Sequence, residues 1–308
     1  MTYTKIDSNL YLIPLDQNMI GFRDCISAWL FKSDEITFLV DPGPKNSINQ
    51  LLDTLKEINV QQIDYILLTH IHIDHAGGTG LILEHFPQAK VVCHPKAIEH
   101  MISPEKLWHG SLKVLGDIAE AYGEIIPIPT NEIVYLNQIK TSLGHINVIE
   151  TPGHAVHHLS FQFQHYLFAG EVIGVTHSLN EGIYARPATP PRFKLKTSLD
   201  SIDKVIALNV SMICFGHYGF RTDTKAAFTN ARNQLLLWIE IIRDQIQKGD
   251  QNFIDRTIEA LKDEDTTFAN LRYMSEDIQQ REIYFVGNSI KGMSEYLQKE
   301  ISHSRGSH

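Results

Sequence analysis

The sequence predicts a mixed α/β sandwich followed by a helical C-terminal segment. Three features lead there. Short runs rich in Val, Ile, Phe and Tyr alternate with stretches of helical periodicity through roughly the first 222 residues. Several of those runs end abruptly in His, Asp and Gly, as buried strands do when they deliver side chains to a site at a sheet edge. From about residue 223 the strand signals stop and the pattern is almost entirely helical.

In order, Asn9–Leu15, Cys25–Phe31 and Ile36–Asp41 read as strands, and Pro42-Gly43-Pro44 breaks the sheet. Ile48, Leu51, Leu52, Leu55 and Ile58 give Ser47–Val60 a helical period. Asp64–Leu68 is a buried strand, a helix runs from about Gly78 to Phe86, and Lys90–Cys93 is a strand. Residues 95–124 form a mostly helical insertion. Strands return at Ile133–Ile139, His145–Thr151, His158–Phe163 and Tyr166–Ala169. Pro187, Pro190 and Pro191 mark a stiff loop. Thr197–Leu208 is helical and Ser211–Phe215 is a strand. In Ala226–Ile246 the residues Phe228, Ala231, Leu235, Trp238 and Ile242 make one apolar stripe. The expected organisation is one domain over residues 1–222, a helical extension over 223–303, and a tag remnant at 304–308 (SRGSH).

Composition is that of a globular chain, 43% hydrophobic and 20% charged, and 308 residues suffice for a sizeable core. A net charge of −9 argues against a nucleic-acid or anionic-membrane surface, since phosphate is drawn by a positive field. Cys25, Cys93 and Cys214 lie far apart in apolar stretches and read as buried thiols of a reducing compartment. The start, MTYTKIDSNLYLIPL, has neither a basic flank nor a long apolar core, and no run reaches the about 18 apolar residues of a membrane helix. The expected location is the cytoplasm.

The densest chemistry is THIHIDHAGG at Thr69–Gly78, directly after Tyr65-Ile66-Leu67-Leu68. Divalent ions want neutral imidazoles and carboxylates converging on a point. If the loop is extended, alternate residues share a side, so His70 and His72 can grip one ion with Asp74 continuing the series. His75 points elsewhere and can serve a neighbouring ion. Gly77 and Gly78 let the chain turn into the next helix.

These residues, with Thr151-Pro152-Gly153-His154, Leu167-Phe168-Ala169-Gly170-Glu171 and Phe215-Gly216-His217-Tyr218-Gly219, resemble the metallo-β-lactamase superfamily on its glyoxalase II-like hydrolase side. The resemblance spans roughly residues 5–222. It implies a four-layered αββα sandwich and two divalent metal ions, zinc first, with iron or manganese as the alternatives. Carried over by position, His70, His72 and His154 would hold one ion, and Asp74, His75 and His217 the other. Glu171 would lie between them where the family usually places an aspartate, a departure that adds one methylene. Asp41 would support a ligand histidine from behind, or make an Asx turn before Pro42.

Two ions about 3.5–4 Å apart can share one hydroxide and aim it at an electrophile. The resemblance therefore implies metal-assisted hydrolysis of an ester-like bond, thioester or lactone favoured, in a small-molecule substrate. Asp74 would orient the nucleophile and take its proton. No Gly-x-Ser-x-Gly elbow is present. The alternatives are a mononuclear non-haem iron dioxygenase similar to the persulfide dioxygenases, and a degenerate fold kept as a binding module.

On the substrate side, Arg186 and Arg192 can bind a carboxylate through their planar forks, or be solvated loop charges. Tyr218 can donate to a developing oxyanion, or simply be packed. Trp108 and Met101 can line an apolar substrate wall, or pack in the core or a dimer contact. His157 and His158 read as structural. The apolar stripe of the tail makes a homodimer plausible.

Overall fold

The structure, a computed structural model, describes residues 3–249 and 251–305, so 306–308 of the tag-like end lie outside the described residues. The chain divides into two compact units. The first takes in the residues up to Glu150, Ala155–Gly170 and Val210–Phe220. The second takes in Thr151–His154, Glu171–Asn209 and the chain from Arg221 onward.

In the first unit, β1 (Thr4–Lys5), β2 (Leu10–Pro14), β3 (Ser27–Lys32), β4 (Thr37–Val40), β5 (Tyr65–Leu67), β6 (Lys90–Val92) and β7 (Ile133–Val134) lie in sequential order in one sheet. Strands β1 to β4 are antiparallel neighbours and β4 to β7 are parallel. Parallel neighbours need crossovers, which helices supply. These are α1 (Ile48–Glu57) after β4, α2 (Ile73–Ala76) and α3 (Thr79–His85) after β5, then α4 (Pro95–Ile102), α5 (Glu105–Leu115) and α6 (Asp117–Tyr122) after β6.

A second sheet begins with β8 (Gln138–Thr141), β9 (Gly144–Glu150), β10 (Leu159–Phe163) and β11 (Tyr166–Gly170). The chain then enters the second unit as a hairpin, β12 (Val175–Leu179) and β13 (Gly182–Arg186), and helix α7 (Leu195–Ile206). It returns as β14 (Met212–Phe215), parallel to β11, and β15 (Phe220–Arg221). Trp29, Phe31, Phe38, Val40, Leu67 and Val92 of the first sheet share one apolar cluster with Ile146, Phe161, Phe163, Tyr166 and Phe168 of the second. Phe31 and Phe38 stack at 5.1 Å, and Phe163 meets both edge-on at 5.0 and 5.4 Å. The opposite face of the first sheet is buried too, through Ala28, Leu30, Leu39, Ile66 and Val91. Burial on both faces is what a parallel sheet covered by helices requires.

Two expectations need correction. The strand expected at Ile133–Ile139 is broken: Ile133–Val134 belongs to the first sheet and Gln138 begins the second. Leu136, on the connection between the two sheets, is an exposed apolar residue that makes the run look continuous. The second correction is the β12–β13 hairpin, two strands that precede the proline-marked loop where no element was expected.

The second unit adds α8 (Thr224–Gln247), α9 (Phe253–Glu264) and α10 (Glu276–Arg305). All five residues of the α8 stripe are buried. Asp265 Oδ2 accepts from Trp238 Nε1 and Gln234 Nε2, each at 2.7 Å, tying α8 to the end of α9. No helix among the described residues is long and apolar enough to cross a membrane.

Candidate metal centre

The parallel strands β4 and β5, and β14 in the other sheet, deliver side chains from their carboxyl ends. Asp41 follows β4, His70 and His72 follow β5, and His217 follows β14. Past His72 the chain is not extended, as the alternation argument assumed. It turns helical at Ile73–Ala76, with His72 as the residue before the turn. Neighbours Asp74 and His75 therefore both reach one place instead of pointing apart. His75 Nε2 lies 3.7 Å and His217 Nε2 3.9 Å from Asp74 Oδ2.

The Nδ1 atoms of His70, His75 and His217 are held by protein. His217 Nδ1 donates to the Cys25 carbonyl at 2.9 Å. His75 Nδ1 donates to Asp41 Oδ2 at 3.2 Å. Thr69 Oγ1 donates to Asp41 Oδ2 at 2.6 Å and lies 3.0 Å from His70 Nδ1, from which it accepts. Asp41 Oδ1 also takes the Thr69 amide at 2.8 Å. A proton fixed on Nδ1 turns the Nε2 lone pair toward the site, which is the support that ligand histidines use. Asp41 itself holds φ at +48°, a left-handed conformation that aspartate tolerates better than most residues.

The backbone around the motif is clamped. Gly43 N–H donates to the His75 carbonyl at 3.0 Å, and Gly78 N–H to the Gly43 carbonyl at 2.9 Å. At Gly170, with φ +57°, a Cβ would come within 2.5 Å of His158 Nε2 and 2.9 Å of Thr69 Cβ. Only glycine fits there.

In the second unit, His154 Nε2 lies 2.9 Å from Glu171 Oε2, and His154 Nδ1 donates to the Ala188 carbonyl at 3.0 Å. With Nδ1 turned to the Ala188 carbonyl, Nε2 faces the Glu171 carboxylate, an arrangement that suits a metal ion between them. The donor chemistry fits divalent ions. Asp74, His75 and His217 bring one ligand atom each to within 4.8 Å of one another, as do Asp41, His70 and His75. In the latter trio Asp41 is already engaged by three donors and acts as support.

Residues 24–217 match the sequence profile of the Metallo-beta-lactamase superfamily, well over half of the chain. The chain belongs to the metallo-β-lactamase superfamily. It is 29% identical over 212 residues to a metallo-beta-lactamase fold-containing protein of Sulfurisphaera tokodaii, covering 65% of this chain and 75% of that one. It is 31% identical over 145 residues to the hydroxyacylglutathione hydrolase of Aeromonas salmonicida, covering 47% of this chain and 45% of the enzyme. The match thus spans less than half the length of that hydrolase. A solved metallo-beta-lactamase family protein of Thermus thermophilus superposes with a TM-score of 0.65 at 20% identity, over 96% of this chain and 95% of that one. This confirms the superfamily's mixed α/β sandwich, here with a helical C-terminal region.

Within this metallo-β-lactamase fold the expected substrate residues fare differently. Arg186 is not a free fork. It is 4% exposed, its Nε donates to Glu282 Oε2 at 2.5 Å, and its guanidinium lies over the Phe285 ring. Its partner is 96 positions away on α10, which no local pattern announces. Arg192 is exposed, with φ +75°. Tyr218 packs half-buried against the core, and burial, with Asp24 and Asp16 nearby, pushes its hydroxyl's pKa up. Trp108 is partly exposed on α5, a helix with no buried residue, whereas Met101 is fully buried in the core. His157 and His158 separate: His158 is buried and stacks on His70 at 5.3 Å, while His157 is partly exposed.

Proposed function

We propose that the chain is a metal-dependent hydrolase that cleaves an ester-like bond, thioester or lactone in preference to amide or phosphodiester. The observation that carries this reading is the convergence of His75 and His217 on Asp74, each imidazole fixed from behind through Nδ1. Motif order within the family supports assigning His70, His72 and His154 to one ion and Asp74, His75 and His217 to the other, with Glu171 as a shared or neighbouring ligand. Two divalent ions held by these residues, zinc first, would bring the pKa of a water molecule towards neutrality and polarise the substrate carbonyl. Asp74 would orient the attacking water and take its proton while remaining a ligand through Oδ2, the oxygen that both imidazoles face. A thiol nucleophile has no part in this reading: all three cysteines are buried, and burial pushes the Cys93 thiol up to about 12.

Elemental analysis of the purified protein, followed by a panel of thioester, lactone, phosphodiester and β-lactam substrates, tests the reading. About two zinc ions with thioesterase or lactonase turnover are expected. One iron with oxygen uptake would point to the dioxygenase instead, and a protein without stable metal would end the enzymatic reading. Asp74→Ala should lower turnover by about 10²–10⁴-fold while far-UV circular dichroism stays unchanged. Unchanged turnover would refute the role given to Asp74.

A further inference from the structure

The pair His157-His158 divides between the floor of the site and its opening. His158 opens β10 from below: its amide donates to the Ala155 carbonyl, its ring stacks on His70, and its Nε2 lies against Gly170. His157, one residue earlier, is partly exposed. Its ring still faces the metal motif, edge-on to His72 at 6.1 Å between centroids and parallel to His70 at 6.5 Å.

Those separations place it outside the ligand cluster. His70 stands 4.6 Å from His72 and 4.3 Å from His75. Among the described residues, His157 is in none of the groups whose donor atoms could share an ion. An imidazole beside two expected ligands, one step farther out and partly exposed, is where a substrate held by the ions would meet protein. It offers a hydrogen-bond donor in either tautomer.

We propose that His157 is a substrate-contacting residue, donating a ring N–H to the leaving-group oxygen or sulfur of the ester-like bond. This rests on the hydrolase reading above. The donor stabilises charge that builds on the leaving atom as the bond breaks, so its contribution grows as the leaving group becomes more basic.

The test uses full-length zinc-loaded protein, with His157→Ala and His157→Gln, against acetate esters of activated and unactivated alcohols. Expected for His157→Ala is an unchanged zinc content and a kcat/KM lowered about 10–100-fold for the unactivated ester, with a much smaller loss for the activated one. His157→Gln, which keeps an N–H donor, should restore part of the loss. Loss of zinc from His157→Ala would make His157 a ligand and overturn the proposal, as would equal losses for both esters or none. A wild-type protein that holds zinc yet cleaves no ester would defeat the hydrolase reading and the proposal with it. Normal wild-type turnover with an indifferent His157→Ala would defeat the proposal alone.

Discussion

Three donors meet two oxygens at Asp41: the Thr69 amide, the Thr69 hydroxyl and His75 Nδ1. Asparagine would keep the left-handed backbone and one acceptor, but its NH₂ group would face groups that need to donate. Asp41→Asn is expected to weaken zinc binding about 10–100-fold, read by competition with a chromophoric chelator, with little change in the fold. An affinity equal to the wild type would remove Asp41 from the ligand support. The candidate metal donors stood out in the sequence because their spacing is local and their chemistry narrow. Arg186 was not, since its environment depends on a carboxylate contributed by a distant helix. Asp74 and His75 were legible as donors but not in their geometry, because a single helical turn replaces the extended loop.

At the level of elements, β11 ends in a glycine that must be a glycine. The Gly170 backbone is left-handed, and His158 and Thr69 fill the space where a side chain would go. Gly170→Ala should destabilise the metal-free protein by about 1–3 kcal/mol, measured by urea unfolding, through strain and overpacking together. A midpoint within error of the wild type would mean the neighbours give way freely. Most strands and helices were readable from period and turn chemistry, and the α8 stripe is buried in full. The β12–β13 hairpin escaped because Val175-Thr176-His177-Ser178-Leu179 has no clean alternation and its turn, Asn180-Glu181, lacks the usual glycine pair. The broken strand at Ile133–Ile139 escaped because apolar continuity does not record a change of sheet.

Over the whole molecule, the second unit closes around a buried charge cluster. Glu282 Oε2 takes Arg186 and the Tyr184 hydroxyl, and Glu282 Oε1 takes Arg281. Burial alone would raise the Glu282 pKa, but Arg186 and Arg281 outweigh it and hold the carboxyl well below the usual range. A folded pKa below the unfolded one gives stability that is present above about pH 4.3 and is lost as pH falls further. Glu282→Gln should cost about 3–5 kcal/mol at pH 7, because it leaves the Arg186 and Arg281 guanidiniums buried without their carboxylate. Its unfolding free energy should also vary less between pH 5 and about pH 2 than the wild type's, followed by circular dichroism in urea at a series of pH values. A parallel pH dependence for both proteins would show that the cluster does not govern acid stability.

The same unit is assembled from three separate stretches, the earliest beginning at Thr151 and the last at Arg221. On the ribosome, the segments carrying His154 and Glu171 would leave the exit tunnel long before Glu282 of α10 is made to receive Arg186. Completion of these surroundings must wait until α10 has been made, so a nascent chain stalled before α10 should stay protease-sensitive around the hairpin.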